Sequence, residues 1–181
     1  WKVQRARPFS SPGDSAPRVR PATVDDIPAL RAIARTCYRS TRFYFDLDFP
    51  SELADALYET WTEKSCRGYA DVVLVADAGG EPLGYVSCHL PPGGGGQIGL
   101  VGVREDSRGR GIGQHLLDAS LRWFVERDAD LVRVVTQGRN PAAQRAYEQR
   151  GFLLESMALW YHRWFREPES LGEPGAAAVS L

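Results

Sequence analysis

Residues 104–117, "REDSRGRGIGQHLL", place three glycines and three arginines within ten positions and then turn at once into an apolar-periodic run. Ahead of them "QIGLVGV" (97–103) reads as a strand, so the glycines stand where a strand hands over to a helix. At such a junction the first N–H groups of the helix lack an internal acceptor, and the helix dipole favours an anion. Glycine lets those amides wrap a phosphate without Cβ atoms in the way, and it tolerates positive φ. Arg108 and Arg110 add positive charge beside them. The stretch Arg108, Gly109, Arg110, Gly111, Ile112, Gly113 is therefore expected to cradle a pyrophosphate. Two common cradles do not fit. The phosphate loop that ends in Gly-Lys-Ser/Thr lacks its lysine here, and Gly109-x-Gly111-x-Gly113 is not the dinucleotide spacing Gly-x-Gly-x-x-Gly.

The chain has 181 residues, 43% of them hydrophobic, enough for one domain with a single substantial core. Lysine and arginine (22) nearly balance aspartate and glutamate (23), for a formal net charge of -1. A broad nucleic-acid binder carries a basic excess, so no nucleic-acid partner is expected. Cys37, Cys66 and Cys88 are unevenly spaced and outside any Cys/His ligand pattern. They argue against a metal site and for a reduced, cytoplasmic protein. No apolar run approaches the roughly 20 residues that span a bilayer, so no membrane is expected. The chain starts at Trp1 without a charged-then-apolar leader pattern, which reads as a start inside a longer chain.

Proline, serine and charge mark residues 1–17 and 166–181 as flexible tails, leaving 18–165 as the folded domain. "RVRPAT" (18–23) reads as a short strand. Thr23, Asp25 and Asp26 then offer cap oxygens to "IPALRAIARTCY", where Ile27, Leu30, Ile33, Ala34 and Cys37 recur at helical spacing. Pro50 opens a second helix with Leu53, Leu57 and Trp61 on one stripe. "DVVLVADA" and "PLGYVSCHL" flank the turn "GGEP" (79–82), which predicts an antiparallel hairpin. From Gly113 a helix runs to about Arg127 with Leu117, Leu121 and Phe124 inward. "LVRVVTQ" (131–137) predicts a strand, "NPAAQRAYEQRG" (140–151) a short helix and "LLESMALWYHRW" (153–164) a last strand. The order βααβββαβαβ is that of an α/β domain with a mixed sheet.

Arg108-x-x-Gly111-x-Gly113 resembles the loop with which the GNAT superfamily of N-acetyltransferases holds the acetyl-CoA pyrophosphate. A second stretch, "NPAAQRAYEQRGF", is similar to that family's Asn-x-x-Ala-x-x-x-Tyr-x-x-x-Gly-Phe, with Asn140, Ala143, Tyr147, Gly151 and Phe152 in register. "TVDDIPALRAIA" resembles the family's first helix, so the likeness spans residues 18–164. Glu105 stands where many members carry proline. The resemblance implies an α/β fold with a mixed, mostly antiparallel sheet flanked by helices, its central strands splayed apart. It also implies acetyl-CoA as acyl donor, its pantetheine arm pairing with the main chain of Val101, Gly102 and Val103. Gly102 is consistent with a bulge there. An N–H group of that stretch would hold the thioester oxygen as it gains charge, and fixed donors of this kind contribute about 3 kcal/mol.

The implied reaction is direct attack of a neutral amine on the thioester in a ternary complex. Tyr147 is the candidate acid for the departing thiolate, since a phenol of pKa ~10 is protonated at neutral pH. The competing reading of Tyr147 is an aromatic packed on a short helix. Asn140 either hydrogen-bonds the pantetheine or caps its helix, or does both. His89, on the strand bordering the acceptor pocket of such enzymes, is the candidate base; Glu52, Glu59, Asp46 and Asp48 are others, and a mechanism without a dedicated base stays open. His115 and His162 read as structural or surface residues. Cys88 reads as a small apolar core residue rather than an acyl carrier.

The acceptor is expected at "RSTRFYFDLDF" (39–49), where aromatic faces suit a base or sugar, Arg39 and Arg42 suit phosphates and Asp46 or Asp48 suits hydroxyls or an amine. Arg42, Tyr44 and Asp46 are the substrate-binding candidates; anchoring of the loop by Phe43, Phe45 and Phe49 is the alternative role for its aromatics. Short words in order, among them "DIPALR", "GYVS", "IGL" and "ALWYHR", look like the TDP-fucosamine acetyltransferases. That likeness implies a TDP-linked 4-amino-4,6-dideoxyhexose as acceptor, although those enzymes carry a larger N-terminal portion. The expected partner is thus a small-molecule amine, and a homodimer is compatible with it. A protein N-terminal or lysine acetyltransferase and a non-catalytic acyl-CoA-binding module are the alternatives.

Overall fold

A computed structural model describes residues 1–4, 17–46 and 48–165. Its elements are β1 (Lys2–Gln4), β2 (Arg18–Pro21), α1 (Ile27–Cys37), α2 (Ser51–Lys64), β3 (Val72–Ala78), β4 (Glu81–His89), β5 (Gly96–Val103), α3 (Ile112–Val125), β6 (Leu131–Val134) and α4 (Pro141–Gln149). The strands form one sheet in the order β1-β6-β5-β4-β3-β2, parallel only between β5 and β6. Helices cover both faces. Val73 and Val75 of β3 pack with Leu30, Ile33 and Ala34 of α1 and Tyr58 of α2. Leu74 and Ala76 turn the other way, into a larger core with Leu116, Leu117, Leu121 and Phe124 of α3. A strand buried on both sides has no polar alternation, which is why "VVLVA" reads as a continuous apolar run.

The α/β architecture with a mixed, mostly antiparallel sheet is the one expected, and Leu117, Leu121 and Phe124 are buried as anticipated. Three local features differ. On α2 the inward stripe is Ala54, Tyr58 and Thr62, while Leu53 and Trp61 are exposed. Tyr58 stacks on Tyr38 at 4.4 Å, and the Thr62 hydroxyl bonds the Tyr58 carbonyl, so the helix buries polar groups that are satisfied. Residues 153–164 form no strand; Leu153 makes a single bridge to Lys2. The place beside β6 is taken instead by Lys2–Gln4, whose residues had read as part of a tail. Residues 5–16 and 166–181, the rest of the two expected tails, lie outside the described residues.

Candidate active site

The opening loop folds as a short 3-10 turn, Glu105–Ser107, followed by the first turn of α3, so the turn forms without proline at Glu105. Gly109 and Gly111 adopt φ of +75° and +78°, and Gly111 is the N-cap of α3. None of the N–H groups of residues 109–113 donates to an acceptor among the described residues. The loop therefore offers a row of free amides at a helix N-terminus, the arrangement that holds a phosphate. Arg108 does not point into it. Its Nε donates to the Val103 carbonyl at 3.3 Å and its Nη2 to the Thr36 carbonyl at 3.3 Å, stapling β5 to the end of α1. The Cys37 thiol donates to the same Val103 oxygen at 3.1 Å, and burial raises that thiol's pKa.

Beside the loop runs an open strand edge. β5 pairs with β6 only from Gly96 to Ile98; onward to Val103 it has no partner on that side among the described residues. The departure coincides with a bulge. Between the pairs Cys88–Ile98 and Val86–Val101, β4 contributes Ser87 alone and β5 contributes Gly99 and Leu100. The extra residue bends β5 away from β6. The bulge thus sits at Gly99–Leu100 and not at Gly102, which pairs regularly with Tyr85. Gly102 is small for another reason: a Cβ there would lie 2.7 Å from the Tyr85 ring. The buried Ser87 hydroxyl accepts the Leu100 N–H at 2.8 Å and holds the bulge; a serine within an apolar strand was its only sequence signal.

Tyr147 comes from α4. Asn140 caps the helix, its Oδ1 accepting the Ala143 N–H at 3.2 Å. Arg150 forks onto Asp118 of α3 at 3.0 and 3.2 Å, and Gln114 donates to Gln149 at 2.9 Å, so α4 is fixed to the helix that bears the cradle. The Tyr147 ring is 5% exposed and packs on Phe152, with centroids 5.6 Å apart. Its hydroxyl has no hydrogen-bond partner among the described residues and is not sealed from solvent. Burial pushes the phenol up to about 12.

On the α1–α2 face, His89 Nε2 and Ser87 Oγ flank the bare position of Gly99, where a Cβ would lie 2.7 and 2.6 Å from them. Burial lowers the His89 pKa, and Tyr69 lies edge-on to its ring at 5.5 Å. The loop after α1 is anchored by ring contacts: Phe43 lies tilted 4.9 Å from Phe49 and edge-on 6.3 Å from Tyr58. Tyr44 is committed to scaffold, its hydroxyl donating to Asp55 at 2.6 Å. Asp46 is committed too, accepting from His162 Nδ1 at 2.6 Å and Trp164 Nε1 at 2.9 Å. These bonds hold the Asp46 carboxyl below the usual range, the His162 bond first. Arg42 is different. Its guanidinium lies 4.5 Å from the Phe43 ring and 5.0 Å from Trp160, with a buried Nε that has no hydrogen-bond partner among the described residues. No group of His, Cys, Asp and Glu among the described residues is arranged to hold a metal ion.

Residues 28–152 match the model of the acetyltransferase (GNAT) family. The chain belongs to that family. A dTDP-fucosamine acetyltransferase of Escherichia coli O6:H1 is 34% identical to this GNAT protein over 164 residues, 90% of this chain and 69% of that one. The spore coat polysaccharide biosynthesis protein SpsD of Bacillus subtilis is 28% identical over 80% of this chain but half of its own length. The solved structure of AAC(6')-Iy with the bisubstrate analog CoA-S-monomethyl-acetylneamine covers 83% of this chain and all of that one, with a TM-score of 0.59 and 16% identity, a likeness of fold. As a GNAT acetyltransferase the protein takes its acyl group from acetyl-CoA, and the free amides of the α3 N-terminus and the unpaired edge of β5 fit that donor.

Proposed function

We propose that this GNAT acetyltransferase acetylates the primary amine of an amino sugar, specifically a TDP-linked 4-amino-4,6-dideoxyhexose. The observations that carry the catalytic part are the free amides of residues 109–113 and the unpaired edge of β5 to Val103; Tyr147, on the helix that Arg150 ties to α3, completes the reading. The amides and the Arg110 charge hold the pyrophosphate. Main-chain groups of Val101, Gly102 and Val103 pair with the pantetheine, and an N–H of this stretch takes the charge that develops on the carbonyl oxygen. Bound acetyl-CoA supplies an activated thioester. Asn140 acts by capping α4 and so by setting Tyr147.

A phenol at about 12 is protonated at every physiological pH. Complete proton transfer to a thiolate of pKa ~8.5 would be uphill by about 5 kcal/mol, so Tyr147 acts as a hydrogen-bond donor to the sulfur as it leaves. His89, neutral near pH 7 because burial lowers its pKa, takes the proton from the attacking amine over Gly99. On the acceptor side Arg42 meets the anionic part of the substrate, while Tyr44 and Asp46 hold the loop. The identity to a dTDP-fucosamine acetyltransferase over 90% of the chain supports the sugar. The covered, aromatic-lined loop favours a small molecule over a peptide N-terminus or lysine, and the presence of Tyr147 beside the cradle favours catalysis over binding alone. We also place the enzyme in the cytoplasm, in keeping with three unpaired cysteines, as a homodimer without a nucleic-acid partner. No helix among the described residues is long and apolar enough to cross a membrane.

The test is CoA-thiol release from acetyl-CoA across TDP-4-amino sugars, free amino sugars, aminoglycosides and lysine or N-terminal peptides. Release with the TDP-4-amino sugars is expected. Release with another amine alone would keep the chemistry and discard the sugar; binding of acetyl-CoA without release throughout would support the binding-module reading.

A further inference from the structure

Among the described residues, two buried side-chain polar atoms have no hydrogen-bond partner, and they are neighbours in the chain: Thr41 Oγ1 and Arg42 Nε. A buried polar group left unpaired costs about 1–3 kcal/mol, so two side by side ask what pairs them. Thr41 is 8% exposed and stands at the start of the short turn Arg42–Tyr44, yet its hydroxyl does not cap that turn. None of the ion pairs among the described residues includes Arg42, and Asp46 and Asp55 are spent elsewhere, the first on His162 and Trp164, the second on Arg39 and Tyr44. The third member of the cluster is Tyr58 of α2. Burial raises its phenol, and the Thr41 hydroxyl and then the Arg42 charge draw it back, so the three polar groups stand together. Trp160, over the guanidinium at 5.0 Å, is itself 73% exposed and belongs to a segment with no backbone hydrogen bond after Leu153 among the described residues. A ligand therefore displaces one surface ring to reach the cluster.

We propose that Thr41, Arg42 and Tyr58 form the diphosphate subsite of the acceptor and hold its nucleoside diphosphate while the sugar amine reaches His89. The proposal rests on the TDP-sugar reading above and gives Arg42 two partners and a ligand chemistry. A phosphate has an acceptor oxygen for each donor: the edge of the guanidinium takes two, and the hydroxyls of Thr41 and Tyr58 take others. A neutral sugar hydroxyl would pair the two hydroxyls and leave the guanidinium charge uncompensated. Tyr38 stacks on Tyr58 and Phe43 lies edge-on to it, so the cluster sits among rings, where a charge-assisted hydrogen bond is strong. The donor's pyrophosphate has its own place at the α3 N-terminus. The two anions are thus held by different chemistry, main-chain amides there and side chains here.

Calorimetric titration of TDP into the protein saturated with CoA, which keeps the α3 cradle occupied, reads the subsite. The wild type is expected to bind TDP, Arg42→Gln to weaken that binding about 100-fold, and Thr41→Val and Tyr58→Phe to weaken it about tenfold each. An unpaired hydroxyl contributes nothing to the ligand-free fold, so Thr41→Val is also expected to keep or raise the melting temperature without TDP, which a structural role for Thr41 would not do. A wild type that does not bind TDP, or an affinity indifferent to all three variants, would overturn the subsite; CoA release with TDP-4-amino sugars in that case would leave the proposed function standing. Binding of TDP that the variants weaken would support the subsite even if no TDP-4-amino sugar released CoA, a result that would discard the acceptor amine alone.

Discussion

Gly111 and Gly113 stand two residues apart in one loop, and the backbone asks different things of them. Gly111 caps α3 with φ of +78°, a conformation that costs a residue with a Cβ about 1–2 kcal/mol. A Cβ on Gly113 would only touch Val103 Cγ2 at 3.7 Å, an ordinary contact inside a helix. Gly111→Ala is therefore expected to lower stability by about 1–2 kcal/mol, and Gly113→Ala to leave it unchanged or raise it by up to ~1 kcal/mol while acetyl-CoA affinity is kept. Denaturant unfolding with calorimetry on the folded variants checks this; equal losses at the two positions would contradict the cap geometry. Glycine spacing made the loop legible, but it does not say which glycine is constrained by φ. Side-chain destinations were less legible still. Arg108 turned to the carbonyls of Val103 and Thr36, and Asp46 to His162 and Trp164, because a charged group bonds the nearest partners that the fold delivers, and those lie 72 and 116 positions away in the chain for Thr36 and His162.

The start of α1 is tied to the sheet by one charged cluster. Arg20 of β2 bonds Asp26 at 2.7 and 2.9 Å and Asp77 of β3 at 3.0 Å, while the Asp26 carboxylate also accepts the Thr23 N–H at 2.7 Å. The Arg20 guanidinium holds the Asp26 carboxyl down to about 2. A carboxyl depressed in the folded state stabilises it above the unfolded pKa of ~3.9 and loses that contribution as pH falls through the folded value. Asp26→Asn is expected to cost about 1–3 kcal/mol at pH 7, the difference from wild type shrinking between about pH 4 and pH 2. A difference that persists at pH 2 in urea unfolding would contradict the linkage. Elements whose apolar period was read from the sequence formed where expected, apart from the α2 stripe. There the period was helical, but Tyr58 and Thr62 outcompeted Leu53 and Trp61 for the interior because the Thr62 hydroxyl found partners in the Tyr58 carbonyl and the Tyr85 hydroxyl, and the Tyr58 ring stacks on Tyr38. The missing last strand has a different cause. A strand exists only through its neighbour, and the neighbour of β6 is Lys2–Gln4, a pairing that no local pattern in residues 153–164 reveals.

At the scale of the whole molecule the fold ties two segments about 35 residues apart to one helix: the loop that opens α3, and α4 with Tyr147, held to α3 through Arg150 and Gln149. Beside them β5 parts from β6 after Ile98, and the bulge at Gly99–Leu100, held by Ser87, accompanies the parting. Both motifs were legible as spacing. The bulge was expected at Gly102 because glycines mark bulges, but in this sheet Gly102 makes room for Tyr85 and the extra residue falls at Gly99–Leu100. The central claim is that the α3 cradle binds acetyl-CoA and that Tyr147 acts on the chemistry rather than on binding. Calorimetric titration of acetyl-CoA into the wild type, Gly111→Glu and Tyr147→Phe, alongside turnover of each, tests it most directly. The account predicts no binding by Gly111→Glu, which fills the cradle with bulk and negative charge. It predicts wild-type affinity for Tyr147→Phe with turnover lowered by about 100-fold or more. Unchanged affinity in Gly111→Glu, or a Tyr147→Phe variant that loses binding and keeps its turnover, would contradict it.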